Sequence, residues 1–402
     1  MSRPRIALVL TAWYANSHAD VLGRRLIEGY EWPPCVDGAT WVEPRVEVVS
    51  AYVDRPGLPT DERPEIGASV LAGAGIPVYG TVAEAMGVGR GGVNVDGVVV
   101  VGEHGAYGTS AYGQTLYPRR RLIDSALSAM VAAGRFVPIF NDKHLAWDVR
   151  DAVDLYRTVR RLGVPLLAGS SVPIAWRIGD PEWPLGAKMT RSVSVGYSSY
   201  DAYGAHLLEL AQSYQERRAG GETGVAEVLT LTGDRARAAL VDGRVDRELY
   251  EAALVVGGAA PPESVTTSAN DDDPMIFLVK HRDGLEAAHV NHFASGRFSF
   301  AAAGPDHRVA ARAMLQPSTP FSHFVFLTRH AENVMLTGRE SWPLERVLLT
   351  TGILDAAMRS LGDGTHEPVA RPTPELDIAY EPYDEITDTG IGSPVPDWGD
   401  DG

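Results

Sequence analysis

Cysteine is nearly absent. Cys35 is the one cysteine in 402 residues, which excludes an internal disulfide and a zinc site built on several thiolates. Long apolar runs are also missing. None approaches the roughly 18 residues of a membrane span, and the first, Ile6 to Leu10, is too short for the apolar core of a signal peptide. No membrane partner and a cytoplasmic location are therefore expected. Positive charge is scarce, with 36 Lys and Arg against 52 Asp and Glu and a net charge of −16. That balance opposes binding to nucleic acid. The one basic cluster, Arg119-Arg120-Arg121, marks an expected helix start and either binds a substrate anion or forms a solvated face. Glycine is lacking from one particular place: the turn after the first strand, Thr11-Ala12-Trp13-Tyr14-Ala15-Asn16-Ser17-His18. Glycines there would let a backbone approach a pyrophosphate; Trp13 and Tyr14 would crowd one. Ser17 is instead expected to cap the helix that follows, which places His18 beside any ligand at its start.

What is present is a repeated pattern between Val98 and Arg177. Three apolar runs, Val98 to Val101, Val137 to Phe140 and Val164 to Ala168, each stop at polar groups: Glu103-His104, then Asn141-Asp142-Lys143-His144, then Ser170-Ser171. Helical patterns separate them, and Gly163 is expected to close the second of these as a C-cap. Ligands of open parallel sheets bind beyond the carboxyl ends of the strands, so the active site is expected here. Val46 to Val53 reads as a further strand ending at Asp54, a candidate for holding a ribose hydroxyl. The loop Ala106 to Tyr117 adds Tyr107, Gln114 and Tyr117 as hydrogen-bonding and stacking groups.

The alternation of strands and helices implies an α/β fold: a Rossmann-like parallel-sheet domain over residues 1–177. After Arg177 the pattern becomes α+β with an open, mostly antiparallel sheet over residues 178–364, suited to closing a site and to forming a homo-oligomer. Residues 365–402 form an acidic tail rich in Pro and Gly, expected to be extended or disordered, or an arm that orders on a partner subunit.

Several segments resemble the Gfo/Idh/MocA oxidoreductases. Tyr79 to Met86, Ala132 to Val137 leading into Asp142-Lys143-His144, Asp151 to Ser170, and His330 to Val334 with Leu344 to Ser360 resemble that family's corresponding segments. The resemblance covers roughly Arg5 to Gly364. It implies a nicotinamide cofactor, NAD or NADP, and a sugar, cyclitol or related small polar substrate. It also implies a motif lysine, here Lys143, that contacts both. Gly204-Ala205-His206 resembles the context of the family's second-domain histidine, which makes His206 an acid–base candidate. Three departures stand out: the glycine-free turn, His144 where the family has proline, and Ala202 where it often has aspartate.

Two chemistries and a binding role follow. In the first, Lys143 with His206, His104 or Glu103 moves the hydroxyl proton. Thr11, His18, Asp54 and Ser170 then hold the cofactor, and Tyr107, Tyr117, Arg119, His144 and Arg177 the substrate. In the second, Glu103, His104, Asp142, His144 and His206 include the ligands of a divalent metal that assists an isomerisation, elimination or hydrolysis. The third is noncatalytic binding of a small molecule.

Overall fold

The computed structural model describes residues 2–54, 64–258, 274–292, 295–362, 368–383, 386–396 and 398. The polar loop expected from Ser264 to Asp273 lies outside them, as does most of the loop from Pro56 to Pro64. No helix among the described residues is long and apolar enough to cross a membrane.

The first half alternates as expected. β1 (Arg5–Leu10) leads into α1 (His18–Glu28), and a short hairpin of β2 (Tyr30–Trp32) and β3 (Thr40–Val42) leads to β4 (Glu47–Val53). α2 (Gly67–Gly73), β5 (Val78–Tyr79), α3 (Val82–Gly87) and β6 (Gly97–Val101) follow. Then come α4 (Arg119–Ala133), β7 (Ile139–Asp142), α5 (Val149–Leu162) and β8 (Leu166–Gly169). The strands of the hairpin are three residues each, too short for alternation to reveal from the sequence.

The six strands form one parallel sheet in the order β5-β4-β1-β6-β7-β8. From β1 the chain winds outward to one edge, then returns to the middle and winds to the other. The carboxyl ends of β1 and β6 therefore flank the reversal point, where such sheets bind ligands. Parallel strands are covered on both faces and read as unbroken apolar runs, and β6, Gly97-Val98-Val99-Val100-Val101, is buried throughout.

The second half begins at β9 (Trp176–Gly179) and β10 (Arg191–Gly196), followed by α6 (Ala202–Gln215), β11 (Val225–Leu231), α7 (Gly233–Ala239) and α8 (Arg247–Gly257). β12 (Met275–His281), β13 (Glu286–Asn291), β14 (Ser299–Ala303) and β15 (Arg308–Met314) complete most of a sheet. α9 (Phe324–Thr337), α10 (Leu344–Leu361) and β16 (Arg371–Pro372) end the chain's regular structure. The sheet has eight strands in the order β16-β11-β12-β13-β10-β14-β15-β9. Only β10 and β13 pair in parallel. α7 and α8 bury Leu240, Leu249, Tyr250 and Leu254 against one face. α6 and α10 cover the other with Leu208, Ile353 and Leu354.

The two halves share material. The core of the parallel sheet includes Leu327, Val334 and Met335 of α9 and Leu344 and Val347 of α10. Glu332 of α9 accepts from the backbone N–H and the guanidinium of Arg45, both at 2.8 Å, and from the Tyr30 hydroxyl at 2.5 Å. The described part of the tail is also placed on its own chain. Leu376 is fully buried. The Tyr380 hydroxyl bonds Glu216 and Gln212, both at 2.9 Å. The Trp398 ring lies 5.3 Å from that of Trp176. A tail poor in apolar residues is held by these few large anchors, a signal that average composition hides.

Candidate active site

The ends of β1, β6, β7 and β8 bring the expected polar groups together. Beyond β7 the chain turns sharply at Lys143, whose φ is 63°. A non-glycine residue in the left-handed region costs of order 1–3 kcal/mol and is held there by its surroundings. Here the Lys143 N–H donates to Gly169 O at 3.0 Å, and Asn141 Nδ2 donates to His144 O at 3.2 Å. His104, beyond β6, has a similar φ of 65°. Two of the three chemically capable strand ends thus carry strained backbone that aims side chains into one space.

Lys143 Nζ lies directly against Glu103 Oε2 and 3.8 Å from Asp142 Oδ2. His18, at the start of α1, brings Nδ1 to 2.9 Å from Asp142 Oδ2 and 3.8 Å from Glu103 Oε2. His104 Nε2 is 3.2 Å from Glu103 Oε1. From the second half, α6 contributes His206, whose Nδ1 is 2.5 Å from Ser170 Oγ. Glu209 stands one helical turn on from His206, with Oε2 accepting from Ser170 N–H at 2.8 Å. The approach is so close that a Cβ on Gly169 would lie 2.7 Å from Glu209 Oε2. Glu209 escaped the sequence reading, although His206 and Glu209, three apart on a helix, necessarily share a face.

Burial governs the protonation of this cluster. It pushes the Asp142 carboxyl up to about 7 and the Glu209 carboxyl up to about 7. It holds the Lys143 amine well below its usual value. His18, His144 and His206 are likewise held well below theirs, first by burial and then by nearby positive charge. Desolvation disfavours whichever form is charged. The two carboxyls of this set, Asp142 and Glu209, are thereby able to exchange protons near neutrality, as general acid–base catalysis requires.

His144 faces another way. Arg119 Nη1 lies 3.0 Å from its Nδ1, and the guanidinium carbon sits 4.8 Å from the centre of the Tyr117 ring. Asp201, next to Ala202, accepts from Thr115 N–H at 2.8 Å rather than meeting His206. Arg177 lies apart from the cluster. Its guanidinium is taken up by the carbonyls of Pro173 and Pro181 and by Ser213 Oγ, and it stacks on Tyr214.

The Rossmann-like fold implies a dinucleotide, with its pyrophosphate against the start of α1. The turn there is occupied by its own groups. Trp13 and Tyr14 are fully buried. Trp13 Nε1 donates to Asp20 Oδ1 at 2.8 Å and Asn16 N–H to Asp20 Oδ2 at 2.9 Å. The N–H groups of Tyr14 and Asp20 both donate to Ser17 Oγ at 3.2 Å, so Ser17 caps α1 as expected. Thr11 donates its hydroxyl to Glu103 O. Asp54 accepts from Tyr52 at 2.6 Å, Tyr107 at 2.7 Å and Arg121 at 2.6 Å. This turn does not fit a pyrophosphate at that place, because its N–H donors are largely satisfied internally and an acid stands in the first helical turn.

A metal group is narrower than the sequence suggested. Of the described residues, His18, Glu103 and Asp142 place ligand atoms within 4.8 Å of one another. His104, His144 and His206 fall outside that group, the last two turned to Arg119 and Ser170. Lys143 Nζ already lies against the two carboxylates.

The chain matches no protein-family model and no curated protein. Solved structures do match along most of its length. GenD2 from gentamicin A biosynthesis, in complex with NAD, aligns at 15% identity and a TM-score of 0.55, covering 92% of this chain and 97% of that one. The myo-inositol 2-dehydrogenase of Lactobacillus plantarum aligns at 13% identity and 0.52, covering 92% and 99%. The myo-inositol dehydrogenase of Corynebacterium glutamicum aligns at 12% and 0.51, again covering 92% and 99%. At such identities the likeness establishes a shared two-domain fold.

Proposed function

We propose that this chain is a Gfo/Idh/MocA-type enzyme of the oxidoreductase class acting on a sugar, cyclitol or related small polar molecule, with Lys143 and His206 as its acid–base groups. The observation that carries the reading is Lys143. It stands on a strained turn at the end of β7, amid carboxylates and imidazoles, with burial holding its amine well below its usual value. An amine so placed accepts or returns a hydroxyl proton. Ser170 orients His206 through Nδ1, leaving Nε2 for the same proton. The names of the neighbours, an NAD complex and two inositol dehydrogenases, support oxidoreduction with a nicotinamide cofactor. The residues are assigned here only to proton movement, since the turn after β1 does not account for a dinucleotide.

Calorimetric titration with NAD and with NADP tests the reaction class. Binding in the micromolar range supports it, and no heat at millimolar cofactor removes it. Within the reading, Lys143→Met should lower kcat/KM by about a hundred- to ten-thousand-fold, as loss of a general acid–base group does. Unchanged turnover would remove Lys143 from the chemistry.

The grouping of His18, Glu103 and Asp142 favours a second reading, metal-assisted chemistry on the same substrate class. Elemental analysis of the purified protein decides it: a stoichiometric divalent metal, lost together with activity on chelation, would replace the first reading.

A further inference from the structure

We propose that the substrate of this site carries a carboxylate and that Arg119 binds it. The inference rests on the acid–base reading above for where the reacting hydroxyl lies, and it adds the chemical class of the molecule.

The start of a helix is its positive end and favours acidic side chains. α4 begins instead with three arginines, has no acidic residue in its first turn, and receives no side-chain cap from Pro118. Two of the three are matched within the chain. Arg120 pairs with Asp124 and with Asp154, both at 2.7 Å, and Arg121 pairs with Asp54 at 2.6 Å. Arg119 is the most buried of them, at 2% exposure, and forms no ion pair among the described residues. Its polar contact is an imidazole, with Nη1 at 3.0 Å from Nδ1 and 3.3 Å from Nε2 of His144. Its Nε is buried without a hydrogen-bond partner.

A guanidinium stays charged in a protein, and burying it without an anion is costly. Other buried arginines here are met by oxygen acceptors: Arg177 and Arg25 by backbone carbonyls, and two more by carboxylates. Arg346 pairs with Glu216 and Arg218 with Glu222. The position of Arg119 is also built rather than incidental. A Cβ on Gly102 would lie 2.7 Å from Arg119 Cγ, so the end of β6 is kept bare where the arginine passes. Tyr117 lies across its guanidinium at 4.8 Å, and His144, held uncharged, can only accept from it.

The nearby acids are already engaged: Glu103 lies against Lys143 Nζ, and Asp201 accepts from Thr115 N–H. The two oxygens of a carboxylate match the guanidinium fork, whereas a phosphate ester would bring nearly two charges toward Glu103 and Asp142. With hydroxyl groups reaching Lys143 and His206, the ligand class is a polyhydroxylated monocarboxylic acid: an aldonic acid, a uronic acid or a hydroxylated ring acid.

Matched pairs test this by calorimetry on the full chain: gluconate against sorbitol, galacturonate against galactose, and quinate against myo-inositol, with glucose 6-phosphate alongside. At least one acid should bind about thirty-fold more tightly than its neutral partner, the size expected for a hydrogen-bonded charge pair. Acetate should compete with that acid. Arg119→Met should abolish the preference and Arg119→Lys should retain part of it, circular dichroism confirming the fold of each. The wild-type comparison stands even if a variant does not fold. Equal binding within every pair, an acid preference that survives in folded Arg119→Met, or tighter binding of glucose 6-phosphate would overturn the proposal. Lys143→Met separates the two readings. It should bind the acid and fail to turn it over. Normal turnover by Lys143→Met would sink the acid–base reading and leave the carboxylate contact standing. Turnover of neutral polyols that ignores Arg119 would do the reverse.

Discussion

His18 Nδ1 sits 2.9 Å from Asp142 Oδ2, so the first helix of the chain and the fifth-formed strand of the parallel sheet meet through one proton. Burial pushes the carboxyl up to about 7 and the imidazole down. The pair therefore resists becoming a full ion pair and titrates as a unit.

A pH dependence of catalysis follows. Asp142 and Glu209 both titrate near 7, so kcat/KM should change slope near neutrality. Asp142→Asn and Glu209→Gln are to be profiled separately. The inflection should vanish in Asp142→Asn, whose side chain adjoins Lys143, and persist in Glu209→Gln. The opposite result would transfer the controlling proton to α6.

Stability should fall on acidification. His289, bonded to Ser194 Oγ at 2.8 Å, is lowered by burial from 6.5 to about 3, and His323 likewise. Both stay neutral in the fold and take a proton on unfolding once the pH drops below about 6.5. Their contribution is therefore fully present above that value and is lost as pH falls toward the folded value. Each accounts for roughly 2 kcal/mol at about pH 5. Urea unfolding at several pH values checks this, with His289→Gln expected to flatten the acid slope by about one histidine's share.

Trp13 packs so tightly on α1 that a Cβ on Gly23 would lie 2.6 Å from its ring. Gly23→Ala should destabilise the protein by about 1–3 kcal/mol, as overpacking does. Trp13→Phe, which frees that space, should reduce the penalty. A double-mutant cycle by chemical denaturation reads the coupling, and additive effects would remove the contact from the account.

The described tail should act as a structural tie. Ending the chain at residue 367 removes Leu376, the Tyr380 hydroxyl bonded to Glu216, and the Trp398 ring beside Trp176. The truncated protein should melt at a lower temperature and be cut faster by a protease within the α6 region. An unchanged melting temperature would reduce the tail to a passive extension.

Much of the parallel sheet could be read from the sequence because its strands are buried on both faces and appear as continuous apolar runs, as at Val98 to Val101. The segment from Leu344 to Ser360, matched by resemblance, is helix over Leu344–Leu361. β9, β15 and β16 were not read, since short edge or half-exposed strands carry little apolar signal. Within the site, Lys143, Glu103, His104 and Ser170 were visible because polar residues at strand ends stand out, and His206 because its context resembles that of a family histidine. Their pairing was not. Nothing in linear order places Ser170 on His206, or Tyr107 on Asp54, because those contacts depend on how the loops fold back. Arg177 was a candidate for the substrate; its partners are backbone carbonyls and Ser213 Oγ, which sequence does not distinguish from a ligand.

The bond from Glu332 to Tyr30 and Arg45 joins residues about three hundred positions apart. During synthesis the parallel sheet can be laid down early, yet α9, which shields one flank of it, leaves the ribosome only when most of the chain has been made. For all that interval, apolar positions such as those facing Leu327 and Val334 lack their cover. The nascent chain therefore spends its longest phase as a sheet awaiting a late helix, and slowing translation in the last quarter of the message should raise its demand for chaperones more than slowing it in the first.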